Sequence, residues 1–479
     1  MSGVVVAVDV GTSAVRAALV HADGQVVTAN QIRRASGIGG ETFDPEALHK
    51  DVVAALAGLA GGPRPSALAI AAHIGTVAVD AVLRPVEAGG GWADPRGTDR
   101  IAALDEDTTR DLLRASGRPA PTGGALAYLL GLDPRVAERV AAVLSPKDYL
   151  VARLTGRVVT DTVDAAYTLA SDVHGRAWNT ATLARVGLDP ALFPPQAEPA
   201  SVVGELTREA AEDTGLPEGL PVVAGGPDGS VGLGLLLGTR EDVLADVAGT
   251  TDVVGRLLPA GSATPPGAVL NPSVLPERFV AGGATGLTGG AVARWRALAG
   301  SVEDERLAAV APGADGLVVL PAMTGARFPL WRPGSRGALL GQRPEHDAAH
   351  LLRAAQEAAT YTVREGLDLL DPSGRLPVAF AGGSARSPHV ARLRADVLGR
   401  PLLVSKEPDV TLLGAASLAF IGSGEVTDPD VLRTRLVGAP REVEPDPARA
   451  ARYAALYAEW LRARDAVDGL SGDGAGRMS

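Results

Sequence analysis

The sequence predicts an α/β protein built as two related lobes that face each other across a central cleft. Three observations carry this reading. Apolar runs of strand length alternate with segments of helical spacing along the chain. A strand–Gly-Thr–strand pattern occurs early in each half, as Asp9-Val10-Gly11-Thr12-Ser13 and as Asp246-Val247-Ala248-Gly249-Thr250-Thr251. A short apolar strand closing on a glycine pair occurs late in each half, as Val222-Val223-Ala224-Gly225-Gly226 and as Ala379-Phe380-Ala381-Gly382-Gly383. Two motifs in the same order in both halves point to an internal repeat, and 479 residues exceed what one ordinary core holds.

Element by element, residues 4–10 read as a strand and Gly11-Thr12-Ser13 as a tight turn. Residues 14–20 then return, and Asp23-Gly24 turns the chain into a third strand opening at 25–27. Residues 45–60 have helical spacing with Asp44 as N-cap, and 67–74 and 76–83 read as strands. In the second half, 243–247 and 252–258 repeat the opening hairpin. Residues 348–370 form a long helix, and 445–470 form another with Tyr453, Leu456, Tyr457 and Leu461 near one face. The boundary falls near 239–242, giving lobes 1–241 and 242–470 and a loose tail 471–479.

Composition narrows the function. A net charge of −11 argues against bulk binding to nucleic acid or an anionic membrane. An anionic ligand must then be held locally, by backbone N–H groups, helix N-termini, a bound cation or a few arginines. Cysteine is absent, which removes disulfides, thiolate metal sites and cysteine nucleophiles. Residues 1–9 lack the basic region and cleavage pattern of a signal peptide, and the most apolar run, 222–237, is broken by Asp228 and glycines. A cytoplasmic location is the expectation. The only lysines are Lys50, Lys147 and Lys406, and none follows a glycine, so there is no G-x-x-x-x-G-K-[ST] phosphate loop.

The two Gly-Thr hairpins are the first place to look for chemistry. Glycine in a tight turn exposes backbone N–H groups without a Cβ in the way, and Thr and Ser hydroxyls add donors. One such loop on each lobe can grip a polyphosphate from both sides. Asp9, just before the first loop, can hold Mg²⁺ through water. A lone Gly-Thr would be an ordinary turn; its duplication favours the ligand loop.

These residues resemble a known superfamily. Asp9-Val10-Gly11-Thr12-Ser13 with Arg16 resembles the first phosphate loop of the sugar kinase, actin and heat-shock chaperone ATPases, and Gly249-Thr250-Thr251 resembles the second. Gly382-Gly383-Ser384 with Ser387, followed by Leu413-Gly414-Ala415-Ala416, resembles the adenosine-side loop. Other stretches resemble the FGGY carbohydrate kinases in particular: Trp92-Ala93-Asp94-Pro95-Arg96, Pro146-Lys147-Asp148-Tyr149-Leu150 with Leu154-Thr155-Gly156, and Gly225-Gly226-Pro227-Asp228. Gly282-Gly283-Ala284-Thr285-Gly286 before Trp295, Gly325-Ala326-Arg327-Phe328-Pro329 and the signature from Gly337 to Glu357 extend the match over nearly the whole chain. Gln342 and Gln356 stand where that signature prefers aliphatics, and the family's N-terminal signature lysine is missing from 122–130.

The resemblance implies two actin-like ATPase (ribonuclease H-like) lobes, ATP as phosphoryl donor, Mg²⁺, and a small sugar or polyol as acceptor; it allows a homodimer. It implies nucleotide contacts from Gly11, Thr12, Ser13, Arg16, Gly249, Thr250, Thr251, Gly382, Gly383 and Ser384. It also makes Asp228 the general base, because a sugar hydroxyl is a poor nucleophile and needs its proton taken as it attacks. The bland alternative for Asp228 is an N-cap. Ala72-His73-Ile74-Gly75 resembles the sugar-contacting Gln-Met-His-Gly of xylulokinase-like members with the histidine one place early, so His73 is either a sugar contact or a buried histidine without a ligand role. Trp92, Asp94 and Arg96 match the family's W-x-D-x-R, which implies contacts to sugar hydroxyls or the positioning of the base; the alternative is a structural ion pair. Three functions follow. They are a kinase for a ketopentose such as xylulose, supported by 146–156, Thr160-Asp161 and Trp178; a kinase for gluconate or another polyol; and an actin-like nucleotide switch without sugar chemistry. His346 and His350 read as surface histidines, and Arg327 is left without a role.

Overall fold

The computed structural model describes residues 3–34, 41–121, 123–259 and 261–474. The chain divides into two compact units. The first comprises Met1–Thr239, Leu270–Val280 and Val410–Gly438, and the second Arg240–Val269, Ala281–Asp409 and Ala439–Ser479. A division into 1–241 and 242–470 misses two excursions, 270–280 and 410–438, which join the first unit. The reason is burial. The helix Val410–Gly422 is apolar almost throughout and packs against the first unit's central strands, whatever its place in the sequence.

The first unit is built on β1 (Val4–Val10), β2 (Ala14–His21) and β3 (Val26–Arg33), an antiparallel meander. Every residue of β1 is buried, as a continuous apolar run in a sheet covered on both faces should be. Helix α1 (Pro45–Ala57), capped by Asp44, packs against β2 and β3. β4 (Leu68–Ala72) lies parallel to β1 on its other side. β5 (Gly75–Val79) leaves this sheet and pairs with β6 (Gly89–Gly91). Helices α2 (Pro146–Thr155) and α3 (Thr162–Tyr167) follow. The main sheet then completes with β7 (Val202–Glu205), β8 (Pro221–Val223) and β9 (Gly226–Pro227), in the order β7-β8-β4-β1-β2-β3 with β9 also on β4. Helix α4 (Asp228–Leu237) leaves directly from β9.

In the second unit, β10 (Leu244–Ala248) and β11 (Thr251–Leu258) repeat the β1–β2 hairpin. Helix α5 (Gly289–Ala299) and the long α6 (Ala348–Leu370) come next, then β12 (Val378–Gly382), parallel to β10. α7 (Pro388–Leu398) and α8 (Pro447–Gly474) complete the elements used below. Tyr453, Trp460, Leu456, Tyr457 and Leu461 of α8 pack with Leu320 and Tyr361, as the apolar face predicts. The predicted tail begins later than 471, because α8 runs to Gly474; residues 475–479 lie outside the described residues.

The hairpin half of the repeat is real, and the glycine-pair half is not. β12, which ends on Ala381-Gly382 just before Gly383, pairs directly with β10. β8 and β9, which flank Ala224-Gly225, both pair with β4, one strand removed from β1. By position in the sheet, β12 corresponds to β4, so the shared Ala-Gly-Gly reflects two separate tight strand exits. Among the described residues no helix is long and apolar enough to cross a membrane.

Candidate active site

In the first unit, three parallel strands end at one edge. β1 and β9 flank β4, with Asp9 and Gly226 both opposite Ala71, and Val10 and Pro227 both opposite Ala72. At a strand spacing of about 4.8 Å, the α-carbons of Asp9 and Gly226 stand roughly 10 Å apart. Asp228 follows Pro227 at once, so two carboxylates share the carboxyl edge, where open α/β sheets hold their ligands.

Asp228 is the first residue of α4, and Pro227 occupies the N-cap position, so Asp228 is not the cap. Its Oδ1 accepts the Gly229 N–H at 2.6 Å. Burial, and then the negative charge of Asp9, push its carboxyl up to about 7. Asp9 is 5% exposed, and its Oδ2 lies 3.1 Å from Arg16 Nη2 across the β1–β2 ladder. In the turn between them, the Gly11 N–H donates to Ala14 O at 2.9 Å.

Arg34 sits beside this loop and carried no signal in the sequence. Its backbone N–H donates to Ser13 O at 2.9 Å, and its Nη1 donates to Gly11 O at 3.0 Å. Nη1 also lies 3.5 Å from His73 Nε2. His73 Nδ1 is 3.2 Å from Ile74 O, an acceptor, so Nδ1 carries the proton and Nε2 the lone pair. Burial lowers this imidazole to about 4, and it meets the Phe43 ring edge-on at 5.3 Å. Both ring nitrogens thus have protein partners. Gly75 opens β5, where a Cβ would press on Gly90 O at 2.7 Å.

Trp92, Asp94 and Arg96 follow β6. Arg96 Nε donates to Asp94 Oδ2 at 2.7 Å, and Nη1 pairs with Glu87. The guanidinium lies 4.3 Å from the Tyr128 ring centroid, and Tyr128 donates to Ala88 O at 3.1 Å. The W-x-D-x-R segment is therefore internally ion-paired, and Glu87 and Tyr128 belong to the same group of side chains.

In the second unit, Ala248 and Gly382 are opposite one another, which brings Gly249-Thr250-Thr251 beside Gly382-Gly383-Ser384. The loop is further braced by the start of α5, where the Gly290 N–H donates to Thr250 O at 2.9 Å. Beneath it, Arg394 of α7 joins Asp246 and Asp252, the latter at 2.7 Å, with all three side chains buried. The glycines differ from expectation. Neither Gly11 nor Gly249 takes left-handed backbone, and a Cβ on Gly249 would meet Thr251 O at an ordinary 3.4 Å. The constrained position is Gly382, at φ +95°, where a Cβ would run into Ala248.

Models described as the N-terminal and C-terminal domains of the FGGY family of carbohydrate kinases match residues 4–234 and 244–423. The chain is 30% identical over 446 residues to the xylulose kinase of Escherichia coli, covering 87% of this chain and 90% of the relative. The chain belongs to the FGGY family of carbohydrate kinases. It is an ATP-dependent sugar kinase, and its two-unit α/β fold is of the actin-like ATPase type. Among solved structures, gluconate kinase from Lactobacillus acidophilus superposes with a TM-score of 0.88 at 21% identity, covering 99% of this chain and 100% of that one. Xylulose kinase from the same organism gives 0.87 at 20% identity, covering 98% and 99%.

His346 and His350 of this FGGY kinase lie at the start of α6, where Asp347 and His350 form a reciprocal cap. Among the described residues, the only acidic or histidine group with metal-like spacing is Asp148, Asp161 and Asp164, and Lys147 fills its centre.

Proposed function

We propose that this FGGY kinase transfers the γ-phosphate of ATP to a hydroxyl of a ketopentose, with xylulose the first candidate. The observation that carries the chemistry is the pair of carboxylates, Asp9 and Asp228, on one strand edge, with the Asp228 carboxyl held near neutrality. Such a group is basic enough to take a hydroxyl proton, and about half of it is ionised at pH 7. Asp228 takes the proton as the sugar oxygen attacks the γ-phosphorus. Asp9, buried and paired with Arg16, fits a water-mediated Mg²⁺ ligand; the bound ion would offset the negative charge of the transferring phosphate. The Gly11–Ser13 turn of the first unit serves the nucleotide, and so, in the second unit, do the segments 249–251 and 382–384, which lie beside each other. His73 orients Arg34 and the sugar-side backbone, while Asp94, Arg96, Trp92 and Gly75 shape the sugar pocket.

The ketopentose reading rests on the xylulose kinase relative, which aligns over most of both chains. A second reading, gluconate, is favoured by the similarity of fold to gluconate kinase and by the Trp92–Arg96 segment. ADP release measured with xylulose, ribulose, gluconate and glycerol separates them. The proposal expects the highest kcat/KM with a ketopentose; a clear preference for gluconate would replace it.

A further inference from the structure

Two sequence motifs have no part in the chemistry so far: Pro146-Lys147-Asp148 and Thr160-Asp161. The fold brings them together beneath the strand exit that carries Asp228. Lys147, in the first turn of α2, is 1% exposed. Its ammonium donates to Ala224 O at 2.8 Å, pairs with Asp148, and lies 3.1 Å from Asp161 Oδ2. Two of its three N–H donors are thus accepted, by Ala224 O and by Asp148, and Asp161 Oδ2 stands at ion-pair distance without accepting a hydrogen bond. Asp164 Oδ2 stands behind at 3.7 Å and accepts from Ser145 Oγ at 3.2 Å.

The consequence lies in what Ala224 precedes. Gly225 turns at φ +75°, and a Cβ there would strike both Ile70 O and the Lys147 side chain. Gly226 packs beside Asp161 and Val231, Gly226 and Pro227 pair with β4, and Asp228 comes next. Asp161 also caps α3 by accepting from Val163 N at 2.8 Å and Asp164 N at 3.1 Å. One buried ammonium thus links α2, the cap of α3 and the carbonyl at the start of the Gly-Gly turn.

We propose that Lys147 is a positioning residue for Asp228: by holding the Ala224 carbonyl and the Asp148–Asp161 pair, it fixes the Gly225–Gly226 turn that aims the catalytic carboxylate. This rests on the reading of Asp228 as the base. Lys147 is buried among protein partners and has no surface to offer a ligand, so its loss lowers turnover and leaves ligand affinity alone.

The test is K147M, with K147M/D148N as the partner variant that leaves the net charge of the cluster unchanged if the single change does not fold. The expected result, per folded molecule, is a kcat lower by roughly 10²-fold with KM for ATP and sugar unchanged. Rescue gives the second readout. The chain has no cysteine, so K147C introduces a single thiol. Alkylated in denaturant with 2-bromoethylamine and refolded, the sulfur displaces bromide and the side chain again ends in an ammonium of lysine length. That protein should regain kcat, and the product of iodoacetamide, uncharged, should not. Equal kcat for the two alkylated forms, or folded K147M/D148N within about twofold of the parent, overturns the proposal. D228N assayed alongside keeps the readings apart: full turnover in D228N removes the base itself, whereas an inactive D228N beside a fully active K147M/D148N removes only the role of Lys147.

Discussion

Among single residues, Asp228 bears most directly on the chemistry. Replacing it with Ala should lower kcat by roughly 10²–10⁴-fold while ATP still binds, because the nucleotide segments are untouched. The measurement is steady-state kcat beside calorimetric ATP binding. The pH dependence has a definite sign. A base must be ionised, so kcat/KM should fall as pH drops through about 7, where burial and Asp9 hold the group. The same shift opposes folding: an Asp raised from 3.8 favours the native state least when ionised, above pH 7. D228N should therefore melt higher than the parent at pH 8, with a smaller difference at pH 5. Equal melting at pH 8, or a kcat/KM flat from pH 5 to 8, would remove the carboxylate's special environment. The motif Gly-Gly-Pro-Asp made Asp228 visible in the sequence; Arg34 was not visible, because its partners Gly11, Ser13 and His73 come from other parts of the chain.

At the scale of the element, the two Gly-Thr hairpins were legible because each is a turn between two buried strands, a pattern confined to about twenty residues. The Ala-Gly-Gly pair misled because a tight strand exit is local chemistry, whereas the strand's neighbour is decided by the whole sheet. Glycine substitutions test the geometry. Gly249→Val should fold, since the position has room and no left-handed backbone, yet weaken ATP binding by crowding the loop. Gly382→Val should instead lower the urea midpoint, because both φ and Ala248 exclude a branched side chain there. The reverse pattern would exchange the roles of the two positions. Below the loop, Arg394→Met leaves Asp246 and Asp252 buried without their cation, which should cost about 3–5 kcal/mol in urea unfolding.

At the scale of the molecule, the α/β class, the two units and the hairpin at the head of each were readable from periodicity and repeats. The membership of 270–280 and 410–438 was not, because a helix apolar on nearly every side, such as Val410–Gly422, gives no face from which to infer its partner. The Lys147 cluster escaped for a related reason: its contacts join residues 147, 161 and 224, and no local window contains them. In the proposed reaction this fold transfers phosphate to a sugar hydroxyl with Asp228 as base. The most direct measurement is ³¹P NMR of the purified protein with MgATP and xylulose, run in parallel with D228A. A phosphate-ester resonance should grow in step with ADP and be nearly absent with D228A; a sugar phosphate formed equally by both proteins would rule out Asp228 as the base.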